Sequence, residues 1–200
     1  DIQRLAESLG DYPLGLTLAV GFIKSSPTTT IDKYLAMHMK RTLKKGDEMP
    51  NSISDSYSKD ALAALEISLK AIEEKSPTSL ETLYFMSLLN SKDIPESYIE
   101  MWLKNERSEL TADEAIKDVY DQSLIGVSET TEFKNQQETD KEGRGKIHYL
   151  SFHDLIHQLI NEKLPVEEKK ELIEKATAVM LKVFSGSAEA FTKRVLNERI

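Results

Sequence analysis

The 200-residue chain is 40% hydrophobic and 30% charged, which suffices for one sizeable core or two small ones and excludes a fibrous or disordered class. A formal net charge of −8 repels a nucleic-acid backbone, so binding one would need a local basic face. There is no cysteine, which excludes disulfides and thiolate metal sites and fits a reducing, cytoplasmic compartment. The longest apolar run, "PLGLTLAVGFI" (13–23), is too short to span a bilayer and lacks the flanks of a signal peptide. The chain starts without Met inside one helical pattern and stops inside another, which reads as a piece of a larger protein.

Ile2, Leu5, Ala6 and Leu9 recur at helical spacing, and Gly10 is placed to end that turn. A second helix is predicted from Pro13 to about Lys24, because proline suits the first helical position, where no N–H is needed. "SSPTTT" (25–30) is a turn cluster whose Thr29 or Thr30 can cap a helix over Ile31–Lys45. "GDEMPNSISDSYS" (46–58) mixes Gly, Pro, Asn and Ser with little apolar pattern and reads as a linker.

Beyond it, Leu62, Leu65, Leu69 and Ile72 form an apolar stripe. Ser76-Pro77 starts a helix with Leu80, Leu83, Tyr84 and Leu88 on its buried side. "IPESYIEMWL" (94–103) starts another with Pro95 at its head, and Trp102 reads as core. Thr111 and Glu114 form a capping box for a helix carrying Ala115, Val119 and Tyr120. The period then changes from 3.6 to 2: "SLIGVSE" (123–129) and "KIHYLS" (146–151) are predicted strands, joined by a polar tip over 130–145. Ser151 is expected to cap a helix running to about Leu164, stopped by Pro165. Two helices should follow, 166–184 and 187–199, split by "SGS". The predicted fold is therefore mainly α: a small helical bundle (1–45), a linker (46–58), a winged-helix domain with a β-hairpin wing (59–165) and a C-terminal helical segment (166–200).

Three of the four histidines lie in "HYLSFHDLIHQLI" (148–160). His153 and His157 are four apart with Asp154 beside the first, close to the His-Glu-x-x-His zinc signature. The resemblance to that signature fails on three counts. Asp has a shorter arm than Glu, the positions of the extended motif hold Ile160 and Lys163, and His153 sits in the first turn of its helix. No metal site is therefore assigned. His38, His148 and His157 read as ordinary half-buried histidines. His153 differs, because a first-turn imidazole stands beside unpaired N–H groups at the positive end of the helix dipole, a place suited to phosphate.

Two motifs, in this order, carry a family resemblance. "LGDYPLGLTLAVGFI" (9–23) is similar to the Gly-Leu-Pro-Leu helix of NB-ARC-type proteins, the signal-transducing NTPases of the STAND class. "YLSFHDLIHQLI" (149–160) is similar to the Met-His-Asp motif that closes their winged-helix domain. Between them, 64–103 and "DVYDQSLIGVSE" (118–129) resemble the start of that domain and the helix leading into its wing. The likeness covers about residues 1–165, with Asp11 where a glycine is common and Phe152 in place of Met. It implies that Pro13 packs on the adenine of bound ADP or ATP and that His153 contacts the β-phosphate of ADP and holds an off state. It further implies an upstream phosphate-loop domain in the same chain and protein partners reached through helices or repeats downstream. The 200 residues contain no G-x-x-x-x-G-K-[ST] loop, so no enzyme activity is expected of this piece. Two alternatives remain. One is a helical protein–protein adaptor. The other is a DNA-binding winged helix, against which Asp113, Glu114, Asp118 and Asp121 outweigh Lys117 on the recognition-helix candidate.

Overall fold

A computed structural model of the chain describes residues 2–44, 59–131 and 146–197. The expected linker (46–58) lies outside the described residues, as does most of the expected wing tip, with its basic Lys134, Lys141 and Arg144. Among the described residues the fold is mainly helical. In chain order the elements are α1 (Ile2–Ser8), α2 (Pro13–Ser25), α3 (Ile31–Lys44), α4 (Lys59–Lys75) and α5 (Pro77–Ser87). Then come β1 (Ile94–Pro95), α6 (Glu96–Asn105), α7 (Ala112–Asp121), β2 (Ile125–Thr131), β3 (Lys146–Phe152), α8 (Asp154–Lys163) and α9 (Val166–Asn197). The chain divides into two compact units: residues 1–80 with 114–126, and residues 81–113 with 127–200.

In the first unit α2 and α3 pack on α4. Leu5, Leu9, Ala19, Phe22, Tyr34, Leu35 and Ile67 form one buried cluster. The predicted stripe on α4 is buried, and so are Ala61, Ala63, Ala64, Ile67 and Ser68 between its members. The helix is thus covered on more than one face, as expected where neighbours pack around it. Its small residues admit a close neighbour: a Cβ built on Gly15 of α2 would lie 3.9 Å from the Ala61 Cα.

Helix ends explain several boundaries. Gly10 takes a left-handed φ of 65°; its N–H donates to the Glu7 carbonyl and that of Asp11 to the Ala6 carbonyl, a Schellman close to α1. Ser123 (φ 58°) ends α7 in the same way, with its N–H on the Tyr120 carbonyl and that of Leu124 on the Val119 carbonyl. Because Leu124 is still engaged in the cap, β2 starts at Ile125 and not at the predicted 123.

The three strands form one sheet in the order β1-β3-β2. β1 pairs antiparallel with β3, Ile94 opposite Leu150 and Pro95 opposite Tyr149. The sequence showed Pro95 only as a helix start. A proline can also sit on a sheet edge, where its missing N–H does no harm. Trp102 on α6 stacks face to face on Phe85 at 4.5 Å, and both are buried with Met86, Ile99, Leu150, Ile156 and Ile160.

Two local expectations are corrected. The α8 cap is His153, not Ser151, because β3 pairing carries the strand through Phe152. The "SGS" stretch does not split the last helix; α9 runs unbroken from Val166 to Asn197. One interior glycine costs only about 1 kcal/mol, and the Ser185 hydroxyl donates within the helix to the Lys182 carbonyl. Of the residues named on α7, Ala115 and Val119 are buried and Tyr120 is exposed.

Candidate functional site

β3 runs directly into α8, and that junction is built from both sides. The Phe152 N–H donates to the Ser91 carbonyl at 2.7 Å, tying the strand end to the loop after α5. Asp154 opens the helix with its carboxylate toward the same loop, accepting from the Ser91 hydroxyl at 3.0 Å with the Lys92 ammonium at 3.8 Å. An acid in the first turn also complements the helix dipole. Phe152 is buried and tilts against the His157 ring at 5.5 Å.

Between these fixed neighbours, His153 is exposed and has extended backbone angles (φ −67°, ψ 129°). Its Nδ1 accepts from the Leu155 N–H at 3.3 Å, satisfying one of the orphan donors of the helix start. An acceptor nitrogen carries no proton, so the neutral ring is protonated on Nε2. The result is an outward N–H beside further unpaired backbone N–H groups, a donor set that suits an anion.

His157, one turn on, does something else. Its Nε2 lies 3.1 Å from the Leu89 carbonyl, and because a carbonyl only accepts, Nε2 carries the proton. Asn161 donates to the Ser87 carbonyl at 2.5 Å and to the His157 carbonyl at 3.1 Å. α8 thus satisfies carbonyls left open at the end of α5. Among the described residues no group of three or more His, Asp or Glu is arranged for a metal.

Pro13 is the first residue of α2 and is exposed. The helix has no side-chain cap at Tyr12; the Tyr12 carbonyl accepts from the Leu16 N–H. Pro13 belongs to the first unit and His153 to the second.

The other two histidines have partners that the sequence did not reveal, because these come from distant positions. His148 on β3 has Nδ1 at 2.7 Å from the Glu96 carboxylate and Nε2 at 3.6 Å from that of Glu129. His38 on α3 is buried and has Nε2 at 3.0 Å from the Asp60 carbonyl. Among the described residues no helix is long and apolar enough to cross a membrane. No protein-family model, curated protein or solved structure matches this chain significantly.

Proposed function

We propose that this chain is the regulatory part of an ATP/ADP switch of the NB-ARC/STAND type, closing over a nucleotide held by a phosphate-loop domain of the same longer chain. One observation carries the reading: the exposed imidazole of His153 caps α8, beside a helix N-terminus and with no partner for its second ring nitrogen among the described residues. That chemistry fits the β-phosphate of ADP. Pro13, exposed at the head of α2, is the adenine contact in this reading. Without a phosphate loop or magnesium ligands, the chain itself does not hydrolyse ATP. Exchange of ADP for ATP would remove the contact that favours the closed state, a two-state rearrangement biased by ligand.

The test is ADP calorimetry on a chain extended N-terminally by its phosphate-loop domain. His153→Ala and His153→Asn should each weaken ADP binding about tenfold, the loss of one charge-assisted hydrogen bond. Asn retains a helix cap, so a loss in both variants isolates the imidazole from the stability of α8. Affinity unchanged in both variants sinks the reading.

A second reading, a helical adaptor, is favoured by a different observation. Val166, Ile173, Leu181 and Phe184 are exposed at 77%, 46%, 64% and 62%, and their spacings of 7, 8 and 3 put them along one side of α9. An apolar stripe of this kind suits a protein partner.

A further inference from the structure

We propose that the groove between α1, α3 and the start of α4 is a binding site for a primary alkylamine. The groove has a volume of about 360 Å³ and is lined by Arg4, Leu35, His38, Met39, Leu43 and Asp60, with Ser8 and Thr42 at its edges. That volume falls in the range of small-molecule sites. Its apolar wall is unusually open: Met39 is 64% and Leu43 75% exposed, and both flank the buried Leu35. A flexible thioether and a leucine of this kind accommodate an aliphatic tail.

The polar lining selects the head group. The Asp60 carbonyl, 3.0 Å from His38 Nε2, can only accept, so the neutral ring keeps its proton on Nε2 and Nδ1 is an acceptor. The Thr42 hydroxyl donates to the His38 carbonyl at 3.1 Å; with its hydrogen used, its oxygen is left to accept. The Asp60 carboxylate is a third acceptor, with Oδ1 3.8 Å from His38 Nε2. Arg4, the one cation among the described lining residues, already pairs with Asp32 at 2.8 Å. The Asp60 carboxylate and the Thr42 oxygen, with an offset guanidinium, call for a head rich in donors and positively charged, which is an ammonium. A carboxylate would meet Asp60 unfavourably. The net charge of −8 adds a general attraction for cations.

The experiment is calorimetric titration of the 200-residue chain with hexylamine, hexanoate and hexanol, which share one tail. Hexylamine is expected to bind at least about tenfold tighter than the other two. Asp60→Asn should weaken hexylamine about tenfold, and Leu43→Asn should weaken it with helix content unchanged by circular dichroism. No hexylamine binding, equal binding of the three probes, or affinity indifferent to Asp60→Asn overturns the proposal.

Discussion

Replacing Tyr34 by Phe should stabilise the protein. Tyr34 is fully buried in the first unit, between the rings of Phe22 at 5.7 Å and His38 at 6.2 Å. Its hydroxyl has no hydrogen-bond partner among the described residues. A buried hydroxyl without a partner has lost water and gained nothing, a penalty of about 1–3 kcal/mol. Phe keeps the ring and both ring contacts and removes only the oxygen. The space left, on the order of 20 Å³, costs roughly 0.5 kcal/mol by the cavity relation. The net expectation is a gain of about 1 kcal/mol, or a Tm rise of about 2–4 °C for a chain of this size. Urea and thermal unfolding at pH 7 measure it, with an unchanged denaturant slope as the sign that only stability has moved. Alkali supplies a second readout. Burial pushes the phenol above its ordinary value of 10.0, so the unfolded chain ionises first. The stability of the native protein should fall as pH rises past about 10, while Tyr34→Phe lacks that contribution to the slope. The advantage of Phe should therefore widen between about pH 10 and 11. A loss of 1 kcal/mol or more at pH 7 would refute the reasoning and show that the hydroxyl is satisfied.

Two glycines of α2 should respond with opposite signs. At Gly21 a Cβ would meet the Ser123 hydroxyl and come within 2.9 Å of the Gln122 carbonyl carbon, so Gly21→Ala should destabilise by about 1–3 kcal/mol in urea unfolding. At Gly15 the nearest atoms lie at 3.8–4.0 Å, an ordinary contact, so Gly15→Ala should gain about 0.5–1 kcal/mol of helix preference. Arg107 holds a left-handed φ of 53° after α6, and Arg107→Gly should raise stability by about 1 kcal/mol in the same assay. His157→Phe keeps the packing on Phe152 but abandons the Leu89 carbonyl, and should cost about 1–3 kcal/mol.

These residues also show what was legible in the sequence. Gly10 announced its cap, because glycine is the default residue for a left-handed C-terminal position. Ser123 and Arg107 occupy the same conformation with side chains that give no such signal, so the starts and stops around them were misplaced or unseen. The buried stripe of α4 was readable from its period, whereas the burial of Ala61, Ala63 and Ser68 depends on neighbours remote in sequence. β1 escaped because two residues carry no period. The split of α9 was predicted from composition alone, and about 1 kcal/mol of glycine penalty does not outweigh a long run of helical hydrogen bonds. At the candidate site, the sequence placed His153 in the first turn of its helix, whereas it stands at the cap, because β3 runs on through Phe152. The partners of His38 and His148 could not be read, since Asp60, Glu96 and Glu129 all lie on other elements, remote in sequence from the histidine they meet.

The cap assigned to His153 and the anion contact proposed for it do not compete; the first prepares the second. Accepting from the Leu155 N–H fixes the ring orientation and leaves the proton on Nε2, so the outward nitrogen donates. Asp154, held by Ser91 and near Lys92, keeps its carboxylate engaged with the loop after α5, which leaves the anion face to donors. His157, in the same helix and with the same side chain, spends its Nε2 proton on a backbone carbonyl. Two histidines one turn apart are thus chemically distinct: one nitrogen donor is used to hold the fold and the other is left open to solvent. In the proposed switch, the ligand at this junction is an acceptor that meets the His153 side of the helix start.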